Sequence, residues 1–297
     1  PFPTNPHANT TEQHTTHWLQ TYPLITSSHE TKNLCNITAQ GMARALPTTN
    51  PDALTLCTDL FLWLTAFDDT HGETEGHRDT ARLTRRISHC VQLLAGHNQP
   101  ATDNDPYTAA LHNLLHRYRE QTTPTQYLRL TAHLRDNLFG ILWEAHHHNR
   151  PDQITLNDYR AMRPHTVFVR TLITTAEIAD TYELTENQRT STAVRELENA
   201  AADLAGWLND LASYAKETKH GNPTPLSLPT LLIQHHKYDL EEAFHQASRM
   251  CENQATTTRH HITQLTHNEN PLTHHARTIE NITASYIWHT THTRYKR

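Results

Sequence analysis

The segment Trp-Leu-Asn-Asp-Leu-Ala-Ser-Tyr-Ala-Lys-Glu, residues 207–217, constrains this chain more than any other. Asn209, Ser213 and Glu217 stand at i, i+4 and i+8, a spacing that an α-helix stacks along one face over about 12 Å. A carboxamide, a hydroxyl and a carboxylate, without thiolate or imidazole, form an oxygen-only donor set that suits Mg²⁺ better than zinc or copper. Lys216 adds a positive charge that a metal alone does not need, so the set fits a metal-bound polyanion such as diphosphate. Any one of these residues ordinarily belongs to a solvated helix face. The fixed spacing of Asn209, Asp210, Ser213, Lys216 and Glu217 is what chance rarely supplies.

The rest of the chain supports a helical reading. Only 7 glycines occur in 297 residues, and stretches rich in Ala, Leu, Gln, Glu and Arg run between sparse prolines, which predicts an all-α fold. The length allows a substantial core, as one large domain or two small ones. A formal net charge of −6 gives no basic field, so nucleic acid is not expected as a partner. Cys35, Cys57, Cys90 and Cys251 form no C-x-x-C pair, which suits a reducing compartment. No apolar run approaches the roughly 18 residues of a membrane span, and the first residues carry no signal-peptide pattern. The expectation is a cytoplasmic protein without a membrane span. The 26 histidines, His146–His148 included, accompany raised threonine and asparagine throughout, a drift of composition rather than a zinc site.

Taken in order, residues 1–35 read as polar and irregular, apart from a helical patch near residues 11–21 anchored by Trp18. A helix over 34–45 stops at Pro47, and Asn50-Pro51-Asp52 opens the next. There Ala53, Cys57, Leu60, Leu64 and Phe67 recur at intervals of four, three, four and three, a core-facing stripe. Asp68 and Asp69 fall where that stripe continues, followed by Thr70-His71-Gly72-Glu73. Adjacent carboxylates on a core face are costly unless cations neutralise them; a helix end reaching water is the other reading. Helices follow over 79–94, 107–120 and 124–148, with Arg85, Arg86, Arg117 and Arg119 exposed and an apolar face of Leu138, Phe139, Ile141, Leu142 and Trp143. Over 156–180, Pro164 interrupts a helix that carries Tyr159, Arg163, Thr166 and Val167, by removing one backbone bond and crowding the Arg160 carbonyl. Such a break frees a carbonyl beside an arginine. The 207–217 motif lies in a helix over 187–219, with the small Ala201, Ala202 and Ala205 ahead of it and Gly221-Asn222-Pro223 ending it. Amphipathic helices over 225–234, 240–265 and 271–290 complete the chain.

The Asn-Asp-x-x-Ser-x-x-Lys-Glu run at 209–217 resembles the metal motif of bacterial-type class I terpene synthases, and the likeness extends in family order over nearly the whole chain. It implies a single-domain class I terpenoid synthase helical bundle, residues 1–297, around a deep apolar active-site cavity, with residues 1–35 folding over the active site. Asp68, Asp69 and Glu73 are similar to the family's Asp-Asp-x-x-x-Glu variant; in the commoner Asp-Asp-x-x-Asp form the third acid stands where Gly72 is. The resemblance implies three Mg²⁺ held by Asp68, Asn209, Ser213 and Glu217, with Asp69 and Glu73 as further ligands. Arg163, in a Tyr-x-x-x-Arg-x-x-Thr context 46 residues before Asn209, corresponds to the diphosphate sensor, and Lys216, Arg294 and Tyr295 to the rest of the diphosphate clamp. Val167 stands where the family often has a glycine, at the break that helps trigger ionisation.

The implied reaction ionises a linear prenyl diphosphate, cyclises it in a dry cavity and releases diphosphate and a terpene hydrocarbon or alcohol. Family frequency puts farnesyl diphosphate first and geranylgeranyl diphosphate next, and makes a homodimer possible. Phe61, Trp63, Phe67, Phe168 and Trp207 are candidate cation-facing aromatics or plain core. Two other readings stand beside this one. A helical di-iron carboxylate protein needs Glu-x-x-His pairs, and Glu144/His147, Glu217/His220 and Glu242/His245 qualify, though so many histidines produce such pairs by chance. A non-catalytic protein that binds a prenyl diphosphate would keep the same motif. Prenyl chain elongation normally shows two aspartate-rich motifs, and this chain has only one, at Asp68–Asp69.

Overall fold

The computed structural model describes residues 2–97, 105–148, 150–219, 225–267 and 271–291, with the side chains of Lys216 and Lys219 excepted. Every regular element among the described residues is helical. In chain order these are α1 (Ala8–Thr21), α2 (Ser28–Ala45), α3 (Pro51–Phe67), a π-helix (Asp68–Gly76), α4 (Thr80–Leu94), α5 (Pro106–Gln121), α6 (Pro124–His147), a 3-10 turn (Pro151–Gln153), α7 (Leu156–Thr166), α8 (Val169–Ala179), α9 (Glu186–Arg189), α10 (Thr192–Lys219), α11 (Leu228–His236), α12 (Leu240–Thr266) and α13 (Thr273–His289). Helices start where a side chain can bond the otherwise unpaired first amides. Ser27, Asn50, Asp79, Asp105 and Asp239 each accept from the backbone N–H three residues on, and Thr155 with Asp158 and Thr185 with Gln188 form reciprocal capping boxes.

The chain divides into two compact units: residues up to Ala145 with Thr174–Glu183, and His146–Ile173 with the chain from Leu184 on. In the first, α3 packs against α1, α2, α5 and the π-helix. It is buried almost all round: Leu54, Leu60, Leu62, Trp63 and Leu64 are each 0 % exposed, beyond what one stripe predicts, and a helix apolar on every side belongs inside. Each such leucine contributes about 2 kcal/mol of burial.

One carboxylate lies in that core. Asp59 accepts from Arg117 Nη1 at 2.8 Å and from the Thr15 hydroxyl at 3.0 Å, with His14 Nε2 at 3.3 Å. Arg117 is therefore a core ion-pair partner and not the surface residue its helix position suggested. The helical patch expected near residues 11–21 is α1, which starts three residues earlier, and Thr11, Thr15, Trp18 and Leu19 form its buried face on α2 and α3. The stretch expected to be irregular after it is helical from Ser28, where α2 begins. On α6, Leu138 and Ile141 are buried while Phe139 is exposed, so its apolar face is narrower than expected.

In the second unit, α10 packs against α12, α13, α7 and α11. Pro164 lies inside α7, and the predicted interruption comes three residues later. Val167 closes α7 and Phe168 takes a left-handed φ of 61°. A left-handed aromatic residue costs about 1–3 kcal/mol, so surrounding contacts must impose the break.

Candidate active site

The acidic pair begins the π-helix of the first unit. The wider i→i+5 turn brings the fifth residue on, rather than the fourth, back over the start. It places Glu73 nearer the Asp68 side of the helix than an α-helix would, which answers the sequence's departure from the commoner spacing. Thr74 follows the same register, its hydroxyl donating to the Asp69 carbonyl at 2.8 Å. Asp68 and Asp69 are half-buried and Glu73 is exposed. Gly72 is required by the close approach: a Cβ there would lie 2.4 Å from Asp68 Oδ1 and 2.8 Å from Ile141 Cγ2. An aspartate at 72, as in the commoner motif, would collide with the carboxylate that opens this one.

The π-helix is braced from α4 and α5. The Tyr107 hydroxyl donates to the Leu24 carbonyl at 2.7 Å and meets the Thr70 hydroxyl at 2.9 Å; burial pushes its pKa up to about 12. Arg86 Nε donates to Glu75 at 3.2 Å and Arg86 Nη1 reaches Asp105 at 3.4 Å. His71 Nδ1 lies 3.1 Å from the same Glu75 carboxylate. Its ring is buried against Phe67 and Tyr107, and burial, then Arg86, holds its pKa below the ordinary value. Trp63 donates to the Tyr107 carbonyl at 2.9 Å and stacks on Phe67. These two aromatics thus pack behind the acidic pair, and Phe61 is 8 % exposed on the same helix.

The second unit brings together the remaining described candidates. Asn209, Ser213 and Glu217 stand in a column on α10. Across from them on α7, Arg163 donates from Nη2 to Asn209 Oδ1 at 2.7 Å, from Nε to Asp210 Oδ1 at 2.9 Å and from Nη1 to the Thr166 hydroxyl at 2.7 Å. Asp210 is the anchor that the sequence reading left unassigned. It is 2 % exposed, and its second oxygen accepts from the Tyr159 hydroxyl and from the Leu228 N–H, the latter at 2.6 Å. Burial, then the Asp210 charge, raises Tyr159 well above its ordinary pKa, so it remains a donor. Gly206 also went unread: a Cβ there would meet Arg163 Cγ at 2.7 Å, so its bare backbone lets the arginine lie across α10. Its signal was a glycine one helical turn ahead of Asn209.

The donor chemistry fits a hard divalent cation. Helical hydroxyls commonly fold back on the preceding turn, as Thr218 does onto the Tyr214 carbonyl at 2.9 Å. No hydrogen bond joins the Ser213 hydroxyl to another described residue, although Ser213 is 6 % exposed. Asn209 Oδ1 spends one lone pair on Arg163 and has a second for a ligand. Trp207, two residues before Asn209, stands about 200° round α10 from the column, with Arg160 over its ring at 5.5 Å. Val167 and Phe168, 7 % and 8 % exposed, form the break after Arg163. The Lys216 side chain and Arg294 and Tyr295 lie outside the described residues. Glu242, of one di-iron-type pair, instead accepts from Gln246 and Arg249 on α12.

The all-helical fold is that of the class I terpenoid synthases. Residues 59–257 match the family model described as terpene synthase family 2, C-terminal metal binding, and the chain belongs to that family. It is 57 % identical over 296 residues, 100 % of this chain and 92 % of the relative, to a (12E)-labda-8(17),12,14-triene synthase of Streptomyces anulatus. It is 50 % identical over 297 residues, 100 % of this chain and 90 % of the relative, to the synthase of the same name from Streptomyces cyslabdanicus. The solved linalool/nerolidol synthase of Streptomyces clavuligerus shares the fold at a TM-score of 0.82 and 18 % identity, over 97 % of both chains. The chain is thus a terpene synthase, a lyase acting on prenyl diphosphates with divalent metal. No described helix is long and apolar enough to cross a membrane.

Proposed function

We propose that this synthase releases diphosphate from a C20 substrate to give a labda-8(17),12,14-triene. The observation that carries this reading is likeness along the full chain to two synthases named for that product. It puts a C20 substrate ahead of the farnesyl diphosphate expected from family frequency. The chemistry narrows it further. In a labdane the two fused rings lie at the end of the molecule far from the carbon that carries diphosphate. Ionisation at that carbon does not close distant rings while leaving an acyclic diene behind. The substrate that fits is a bicyclic allylic diphosphate with both rings already made. Its C–O bond breaks with the electron pair leaving on diphosphate, and a C–H bond beside the allylic cation gives its pair to the second double bond of the diene. The proton passes to diphosphate or water.

The family match runs unbroken through the acidic pair and the α10 column, which supports one synthase domain and one function for both. Asp68, Asn209, Ser213 and Glu217, with Asp69 and Glu73, are the residues assigned to hold Mg²⁺, three ions by likeness to the family. Bound Mg²⁺ stabilises the negative charge that develops on the departing diphosphate. Arg163 grips the same anion, and because Asp210, Asn209 and Thr166 already fix its guanidinium, little reorganisation is needed as charge moves. Lys216, Arg294 and Tyr295 are assigned to the same clamp.

The test is incubation with farnesyl, geranylgeranyl and bicyclic labdadienyl diphosphate, with and without Mg²⁺, followed by mass analysis of the extract. A Mg²⁺-dependent labdatriene from the bicyclic diphosphate is expected. A terpene from farnesyl diphosphate alone would refute the C20 reading. Asn209→Ala should remove turnover and leave the helical signal unchanged.

A further inference from the structure

We propose that Tyr286 is a positioning residue of this reaction, its hydroxyl setting the peptide that follows the Arg163–Thr166 pair. The inference rests on the diphosphate ionisation proposed above and adds a residue to it from α13. The Tyr286 hydroxyl donates to the Val167 carbonyl at 2.7 Å. That carbonyl falls in a gap of the backbone ladder. The last amide of α7, Val167 N–H, bonds back to Arg163 at 3.1 Å, and the ladder of α8 resumes with the Phe168 carbonyl accepting from Leu172 at 3.0 Å. Val167 and Phe168 are both buried, so solvent is a poor substitute, and a buried carbonyl left unpaired is costly.

The same peptide carries the left-handed Phe168, a conformation that persists only where surrounding contacts impose it. Tyr286 supplies such a contact from 119 residues away. One residue back, Thr166 accepts from Arg163 at 2.7 Å. An unbroken path of bonds therefore joins Asn209 through Arg163 and Thr166 to the peptide that Tyr286 holds. Were that peptide to rotate, its dipole would turn beside the guanidinium assigned to the leaving group. The hydroxyl fixes the orientation before the substrate arrives, so its loss should be felt in the chemical step more than in binding.

The experiment is steady-state kinetics and product analysis of wild type and Tyr286→Phe with the diphosphate that wild type turns over, beside their melting temperatures. A fall in kcat of about three- to ten-fold, the worth of one ordinary hydrogen bond, is expected with KM within about two-fold and an altered product profile, beside a melting temperature lowered by a few degrees for the carbonyl left unpaired. Unchanged kcat and products in Tyr286→Phe, or a lower melting temperature with kcat preserved, would overturn the assignment while leaving the parent reading intact. A folded wild type that turns over none of the three diphosphates would overturn both.

Discussion

Replacing Asp210 by alanine is expected to do two kinds of damage at once. It leaves Arg163 and Tyr159 without their shared partner, and breaking a buried ion pair by removing one member costs about 3–5 kcal/mol, measurable in urea unfolding. It also frees the guanidinium from its place beside Asn209, so turnover should fall even where the protein remains folded. A loss of under about 1 kcal/mol would show that Asp210 is not the anchor. The difference between Asn209 and Asp210 shows what the sequence could tell. Both belong to one motif, but Asn209 shares a helical face with Ser213 and Glu217, and that face is legible from spacing alone. The role of Asp210 depends on α7 crossing α10, which no local pattern announces. Arg163 was readable only through its distance from Asn209 in a known family. Gly206 and Gly72 were harder still, because what they provide is room for another residue's side chain.

At the scale of elements, the π-helix and the docking of α1 are each open to a direct test. Gly72→Ala should displace the Asp68 carboxylate, since the added carbon would lie 2.4 Å from its oxygen. Turnover is expected to drop at least ten-fold and stability to fall by about 1–3 kcal/mol, because the added carbon also lies 2.8 Å from the buried Ile141; undiminished turnover would remove Asp68 from the reaction. The α1 contact predicts a pH effect. Its bond to Asp59 holds the His14 pKa above 6.5, against burial and the nearby Arg117 charge. A raised folded pKa means that the stabilisation is complete below about 6.5, the unfolded value, and disappears as pH rises through the folded one. Melting temperature should therefore fall slightly more between pH 6 and 8 in wild type than in His14→Ala, and equal slopes would exclude the contact as the cause. Helix starts were largely legible here, because caps such as Asn50-Pro51-Asp52 are local chemistry. The π-helix was not: Gly72 showed only a departure from the commoner acid spacing, whereas the structure has a widened helix. For the interruption after Arg163, Pro164 gave the approximate place, but Tyr286 and the packing around Phe168 fix the residue.

For the whole molecule, the all-α class followed from few glycines and long apolar periodicities, and no single motif was needed for it. The division into two compact units was not readable, since α6 and α8 each pass from one unit to the other without a break in composition. Neither unit's core depends on the proposed Mg²⁺: α10 is held by α12, α13 and α7, and α3 by α1, α2 and α5. Chelation with EDTA is accordingly expected to abolish turnover while leaving helicity and melting temperature almost unchanged, with Mg²⁺ restoring activity; a coupled loss of helicity would instead make the metal part of the fold. The widened turn at Asp68–Gly76 also bears on how this chain is compared with its relatives. An extra residue in an α-helix would rotate everything after it by about 100°, but a π turn absorbs the residue and returns the helix to register. Two enzymes whose acids are five and four positions apart can then present equivalent carboxylates, so homology across this motif is better counted in helical turns than in residues. Deleting Gly72 would shorten the interval between Asp68 and Glu73 to four positions, and the segment is then expected to close up as an ordinary α-helix.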